Sequence, residues 1–276
     1  MQLISKIFLY FNTIRYLRYT QIIYRIFYFI RPVIKEKQIC ASICPPQGEW
    51  TMIKNFKSDE LDGDNKINLL GEIGVANEWK PRKALLWKYH LHYFDYCSDI
   101  NFKNTDLIYE NINHWIKNNK FSEGIGWDSY PTSLRIVNWI KFGLNGNNLS
   151  QEIITSLSSQ AYYLSKNLEY HLYANHLLRN GKALCFAGLF LDSKLSEKWL
   201  KIGVKIISRE VNEQILEDGG HIELSPMYHS NTLEDLLDLI NISRAYPRSE
   251  LSKIRKKLEQ AVTKMNNWLS EMSHPD

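Results

Sequence analysis

Between positions 214 and 240 the chain reads QILEDGGHIELSPMYHSNTLEDLLDLI. A helical pattern on each side is broken by Asp218, Gly219 and Gly220, and then by His221, Glu223, Ser225, Pro226, Tyr228 and His229. Two imidazoles, a carboxylate and a phenol gathered this closely can exchange protons with a bound molecule. They can equally lock one another in a buried structural network. Gly219 and Gly220 permit backbone angles denied to other residues, and Pro226 fixes the chain ahead of Met227, Tyr228 and His229.

Two further polar clusters stand against an otherwise apolar helical background. In NLEYHLYANHLLRNGKAL, His171 and Asn175 are four apart and share a helix face, while Glu169, Tyr173 and His176 line the adjoining one. Such a face serves a ligand or simply meets solvent. In GIGWDSYPTSLRIVNWI, a turn set by Gly124, Gly126 and Pro131 leads into a helix that Asp128, Ser129, Thr132 or Ser133 can cap. Arg135 follows near the mouth of the cleft, where a guanidinium can grip a carboxylate or sulfate with two parallel hydrogen bonds. A capping or surface arginine is the alternative. In YHLHYFDY, His90 and His92 either reach the cleft or pack beneath it.

The elements that must position these groups are helices. Periodicity predicts them at 105–119, 130–143, 150–166, 168–191, 194–214, 231–245 and 248–271, separated by short polar turns. Helices at this spacing form hairpins, stacked as a solenoid or closed as a ring, and no strict repeat supports a consensus solenoid. The expected fold is therefore all-α, an incomplete (α/α) toroid of helical hairpins whose loops at one end form a cleft. Residues 36–86, punctuated by Pro45, Pro46, Gly48, Gly71, Gly74 and Pro81, read as an irregular wrapping segment. The chain thus divides into 1–35, 36–86 and a toroid domain from 87 to 276.

Composition narrows the function. With 276 residues, 44% hydrophobic and 23% charged, the chain can bury one large core or two modest ones. A net charge of +4 suits an acidic ligand but lacks the basic stripe of a nucleic-acid binder. Neither GxxxxGK[ST] nor GxGxxG occurs, which argues against nucleotide chemistry. Cys40, Cys44, Cys97 and Cys185 define neither a disulfide framework nor a tetrahedral metal set, and read as structural thiols. Residues 1–35 carry six basic residues and no acidic one, with Arg15, Arg18 and Arg25 on one helical face. That segment either packs on the domain with a solvated basic edge or rests on an anionic membrane surface as a peripheral contact. It shows neither a signal peptide nor a spanning helix, which favours a cytoplasmic or inner-membrane-associated location.

In order, WKYHLHYFDY, GWDSYPTSLRIVNWI, NLEYHLYANHLLRNGKALCFAGLF, EQILEDGGHIELSPMYH and EMSHPD resemble the heparinase II/III-like polysaccharide lyases, from about residue 85 onward. The resemblance implies an N-terminal (α/α) toroid followed by a C-terminal antiparallel β-sandwich. It also implies cleavage of an acidic, uronic-acid-containing polysaccharide, such as heparan sulfate or alginate, by β-elimination. That reaction removes the proton on C5 of the uronic acid and expels the oxygen on C4. A group must neutralise the carboxylate so that the carbanion spreads into an enolate-like form. Asn175 matches the neutralising position, supported by His176. A tyrosine can be both base and acid when positive charge and hydrogen bonds lower its reference pKa of about 10. Tyr228 matches the catalytic tyrosine, with His229, His221 and Glu223 to orient or tune it and Arg135 to position substrate.

The family's β-sandwich supplies a further histidine and a metal site. This chain stops at Asp276, so the resemblance implies a missing partner domain, no cofactor or metal in this chain, and weak or absent activity alone. The competing readings are a non-catalytic acidic-glycan-binding or assembly module, and a toroidal glycoside hydrolase using Asp128 and Glu223 as opposed carboxylic acids.

Overall fold

A computed structural model describes residues 2–51, 61–98 and 104–273. The last residues of EMSHPD, 274–276, lie outside them. In chain order the elements are α1 (Gln2–Ile14), α2 (Tyr19–Ile30), β1 (Ser42–Ile43), β2 (Lys66–Leu69), β3 (Glu72–Val75), α3 (Leu85–Leu91), α4 (Thr105–Asn118), α5 (Ser129–Leu144), α6 (Gln151–Lys166), α7 (Ala174–Phe190), β4 (Leu191–Asp192), α8 (Ser196–Gln214), α9 (Pro226–Ala245), α10 (Glu250–Lys253) and α11 (Arg255–Met272).

Local chemistry sets most boundaries. Asn104 caps α4 by accepting from the Leu107 N–H at 3.2 Å, and Ser150 does the same for α6 from Ile153 at 3.4 Å. Asp128, expected to cap α5, instead accepts from the Tyr89 hydroxyl at 2.7 Å, and no side chain caps that helix. Pro226 opens α9 because a first-turn residue needs no N–H partner and proline's φ is already helical. The helix therefore starts five residues earlier than periodicity predicts, and Tyr228 and His229 stand in its first turn rather than in a break. The opposite happens at α7, where residues 168–173 stay outside the helix and it begins only at Ala174. Arg15 and Arg18 lie in the turn between α1 and α2, so they do not share a helix with Arg25.

Among the described residues the sheet is small, and three of its four strands lie in the wrapping segment. β2 and β3 pair antiparallel, with Lys66 opposite Val75 and Leu69 opposite Glu72. Leu70 and Gly71 both take positive φ, 56° and 80°, the geometry of a tight hairpin turn whose twist matches its strands. β1 pairs with β4 across the end of α7.

The longer helices form an all-α, incomplete toroid of hairpins in two layers. α5, α7 and α9 pack side by side on the inside, while α4, α6 and α8 form the outer row. α11 packs on α9. Each helix turns an apolar stripe into one core: α4, for example, buries Leu107, Ile108, Ile112 and Trp115. The tightest join is α7 against α8, where backbones touch. A Cβ on Gly203 would stand 2.7 Å from the Gly181 carbonyl oxygen and 2.8 Å from the Cys185 nitrogen, neither of which can swing aside. Gly203→Ala is expected to lower unfolding free energy by about 1–3 kcal/mol, read from urea midpoints, because the two helices must part to admit one methyl group. An unchanged midpoint would contradict the close approach.

Candidate active site

The three inner helices run parallel, and their N-termini meet at one end of the arc. Tyr130, in the first turn of α5, has its ring 4.5 Å from that of His176 and accepts a hydrogen bond from the Arg179 guanidinium. One turn deeper, Asn180 of α7 donates to Ser133 of α5 at 3.0 Å. Arg179 also donates from Nε to Asp235 of α9 at 3.1 Å, and Tyr228 is near enough to Tyr130 to influence its ionisation. Each N-terminus presents unpaired N–H groups and the positive end of its dipole. Three of them beside Arg179 make this end of the arc a place for an anion.

Helical periodicity then sets which side chains face one another. Asn175, Arg179 and Lys182 follow at intervals of four and three and form one stripe of α7. Tyr228 and Asp235 are two turns apart and share a stripe of α9. Because Arg179 and Lys182 touch Asp235, the two stripes face each other, with Asn175 and Tyr228 at their upper ends. Both are half-buried, and among the described residues neither side chain makes a hydrogen bond. The backbone leading to each is strained: Tyr173 and Ala174 take φ of 63° and 51°, and Leu224 takes 50°. Non-glycine residues hold such angles only where surrounding contacts force them, and these outliers stand just before the two candidate residues.

Beneath the open end lies a chain of buried ions. Lys182 bonds Asp235 at 2.8 Å and also Asp238, whose same oxygen accepts from Lys141 of α5 at 2.5 Å. Burial alone would favour the neutral forms. Lys182 and Arg179 nevertheless hold Asp235 below the usual carboxylate range, and Lys141 and Lys182 do so for Asp238. Likewise burial opposes charge on Lys182 and Arg179, and the facing carboxylates overcome it and raise both. Tyr130 is pushed up to about 12, mainly by burial, against the pull of Arg179. On the near side, His176 Nδ1 lies 3.1 Å from Glu169 Oε1, and Asn180 donates to the other carboxylate oxygen at 2.9 Å. A carboxylate only accepts, so Nδ1 carries the proton and Nε2 is left for the cleft.

Other residues singled out by sequence are placed differently. Arg135 is 0% exposed and cannot reach a ligand at the cleft. Its guanidinium lies 3.8 Å over the Trp115 ring and donates to Gln160 at 2.8 Å and to the His92 carbonyl at 3.2 Å. It is a core residue, held by a ring face and neutral acceptors, because α5 turns position 135 inward. His221 is buried too, with Nε2 3.2 Å from Gln214 Oε1 and Nδ1 accepting from the Glu223 N–H at 3.2 Å, so it closes the turn between α8 and α9. His229 faces away from the cleft, stacked on Trp268 with Nε2 3.1 Å from the Met265 carbonyl. The Glu223 side chain is exposed. Among the described residues no hydrogen bond joins His221, Glu223 or His229 to Tyr228. His171 sits in the loop before α7 and does not share a helix face with Asn175; its ring packs 4.6 Å from Tyr28 of α2. His92 packs beneath the cleft, accepting from Trp115 Nε1 at 3.0 Å.

Reasoning from sequence passed over Tyr130, Arg179, Lys182, Asp235 and Asp238. The signal was present in the spacing: Arg179 and Lys182 are three apart on one helix, as are Asp235 and Asp238 on another, and paired charges of opposite sign at equal spacing dock helices together.

A family model described as "Heparinase II/III N-terminus" matches residues 113–276. The chain belongs to that family. A heparin-sulfate lyase of Bacteroides thetaiotaomicron is 28% identical over 181 residues, covering 61% of this chain and 25% of that protein. Heparin-sulfate lyases of Bacteroides stercoris and Pedobacter heparinus are 32% and 30% identical over 109 and 132 residues, covering 39% and 45% of this chain. This chain aligns with 16% to 25% of the length of these three relatives. The crystal structure of a heparan sulfate lyase mutant from Pedobacter heparinus superposes with a TM-score of 0.54 at 20% identity, over 77% of this chain and 37% of that one, and shares the fold. In the heparinase II/III N-terminal family member described here, all three inner helices fall within the matched span, while α1, α2 and the wrapping segment precede it.

The core under this site has a pH signature. Burial, and then the Arg135 charge, hold His92 neutral down to about pH 3. In the unfolded chain it takes a proton near pH 6.5. The fold therefore has His92's full contribution above about pH 6.5 and loses it as the pH falls toward about 3. His92→Gln keeps an acceptor for Trp115, and its melting temperature is expected to fall less than that of the unaltered protein across that window. Parallel melting curves would show that His92 is not the titrating group.

Proposed function

We propose that this chain is the toroidal part of a polysaccharide lyase that cleaves a uronic-acid-containing polysaccharide, heparan-sulfate-like or alginate-like, by β-elimination. The observation that carries the reading is the pair of facing stripes at the converging N-termini, with Asn175 at the top of one and Tyr228 at the top of the other. The names of the curated relatives agree with it.

In this reading the substrate carboxylate lies against the positive end of α7. The Asn175 amide donates to it, so that charge developing on removal of the C5 proton spreads into the carboxylate. Tyr228 takes that proton as phenolate, the electron pair closes the double bond between C4 and C5, and the C4 oxygen leaves with a proton from the same phenol. His176, oriented by Glu169, presents Nε2 at the flank, where it accepts from a substrate hydroxyl while neutral and donates to the carboxylate once protonated. Arg179 and Tyr130 form the floor, and the Arg179 charge raises the local positive potential. We further propose that turnover requires segments of the longer relatives beyond the matched part, so the relevant catalyst is this toroid joined to them.

The test is to incubate the chain, alone and extended by the segments that follow the matched part in a longer relative, with heparan sulfate and with alginate, following the ultraviolet absorbance of the unsaturated product. The extended form is expected to produce it, and Tyr228→Phe and Asn175→Ala to lower the rate about 10²–10⁴-fold without loss of fold. Saccharide binding without product would support a binding module instead. New reducing ends without an unsaturated sugar would support a hydrolase, although Asp128 here accepts from the Tyr89 hydroxyl.

A further inference from the structure

Helix α2 is mounted the wrong way round for a soluble helix. Its polar and aromatic side holds the protein: Thr20 Oγ1 lies 2.6 Å from the Tyr173 hydroxyl, Tyr24 stacks on Tyr170 at 4.6 Å, and Tyr28 donates to the Leu168 carbonyl. Arg18 pairs with Glu213 at 2.6 Å at one end, and Arg31 donates to Asn167 at the other. The opposite side, Tyr19, Ile23, Ile26, Phe29 and Ile30, is exposed, Phe29 to 93%, and the helix buries no residue. An amphipathic helix normally turns its aliphatic stripe inward, since burying each large side chain is favourable. Helix α1 adds Phe8, Leu9, Tyr10, Phe11 and Ile14, all at least half exposed. A patch this continuous marks an interaction surface.

Charge decides among occupants. Residues 1–35 contain six basic and no acidic residues, and Arg15 and Arg25 are exposed. Two copies meeting through this face would bring like charges together. A rigid protein groove covers a single stripe, yet Phe8, Leu9, Tyr10 and Phe11 point to every side of α1. Fluid acyl chains receive side chains wherever they point, tyrosines suit the headgroup boundary, and arginines suit anionic lipid. Among the described residues no helix is long and apolar enough to cross a bilayer. Both helices also precede the family match.

We propose that α1 and α2 are a membrane-docking device, lying in the interface of an anionic bilayer with the aliphatic face of α2 in the acyl region and Arg15 and Arg25 at the phosphates. The full chain is to be sedimented with vesicles of phosphatidylcholine alone and of equimolar phosphatidylcholine and phosphatidylglycerol. It is expected to partition onto the anionic vesicles at least about tenfold better, and to be released by high salt. Ile26→Asp combined with Phe29→Asp should abolish binding, and Arg15→Gln with Arg25→Gln should weaken it about tenfold, both without change in melting temperature because these side chains face outward. Should either variant unfold, the lipid and salt dependence of the unaltered chain still decides. Equal partition onto both vesicles, or onto neither, overturns the proposal. So does a dimer in light scattering that Ile26→Asp converts to monomer while vesicle binding is unchanged, since the face would then belong to a second copy.

Discussion

The buried ion chain of Lys141, Asp238, Lys182, Asp235 and Arg179 is the constraint on which the rest of the arc depends. It ties all three inner helices together, α5 to α9 through Asp238 and α7 to α9 through both carboxylates. Desolvating five charges costs several kcal/mol each, and only close, complementary contacts offset that cost. A slide of one helix by a turn would disturb close-packed apolar contacts and shift the buried charges as well. Buried charges forbid this, because any slip strands an ion without a partner. The network thus opposes a change in the register of the inner layer, and with it in the height at which Asn175 stands opposite Tyr228.

The same network explains why the cleft end is positive. Three cations share two carboxylates in direct contact, and the excess lies toward Arg179 and the helix N-termini. Arg135 shows the converse arrangement. Its charge sits in the core over Trp115 with no carboxylate in contact among the described residues, satisfied by Gln160 and the His92 carbonyl, and its field adds to the burial that keeps His92 neutral. One arginine faces the cleft and shapes its potential, whereas the other organises aromatic packing below. Residue type alone could not have separated the two.

Much of the architecture was legible in the sequence, because the order of the long helices and the fold class follow from periodicity over long segments. The errors fell at helix starts. Asn175 and His171 looked like neighbours on one face because NLEYHLYANHLL keeps a helical rhythm through residues that are not helical. The positive φ of Tyr173 and Ala174 breaks the helix where neither glycine nor proline announces it. Tyr228 looked like part of a break because helical periodicity is plain only from residue 231, whereas Pro226 already opens the helix in its first turn. Arg135 was misplaced by an argument from caps that the structure does not use. Charge spacing on α7 and α9, by contrast, carried the register and was legible but overlooked. Periodicity also gives a helix its apolar face without saying which way that face points, so the inversion of α2 could not be read from residues 19–30 alone.

That inversion bears on the site as well as on the surface. The loop from 167 to 173 is the one irregular stretch that delivers Asn175 to the cleft, and it is held from two sides. From within, Asn180 accepts from the Glu169 N–H at 2.8 Å and donates to its carboxylate, while Glu169 orients His176. From outside, α2 grips Asn167, Leu168, Tyr170 and Tyr173. A strained turn relaxes unless its surroundings over-determine it. Here the inner clamp comes from within the span matched to the family, and the outer clamp comes from a helix preceding it. The N-terminal segment is thus not an appendage to the toroid: it completes the cage that keeps Tyr173 and Ala174 in conformations they would otherwise leave, and through them sets the first turn of α7.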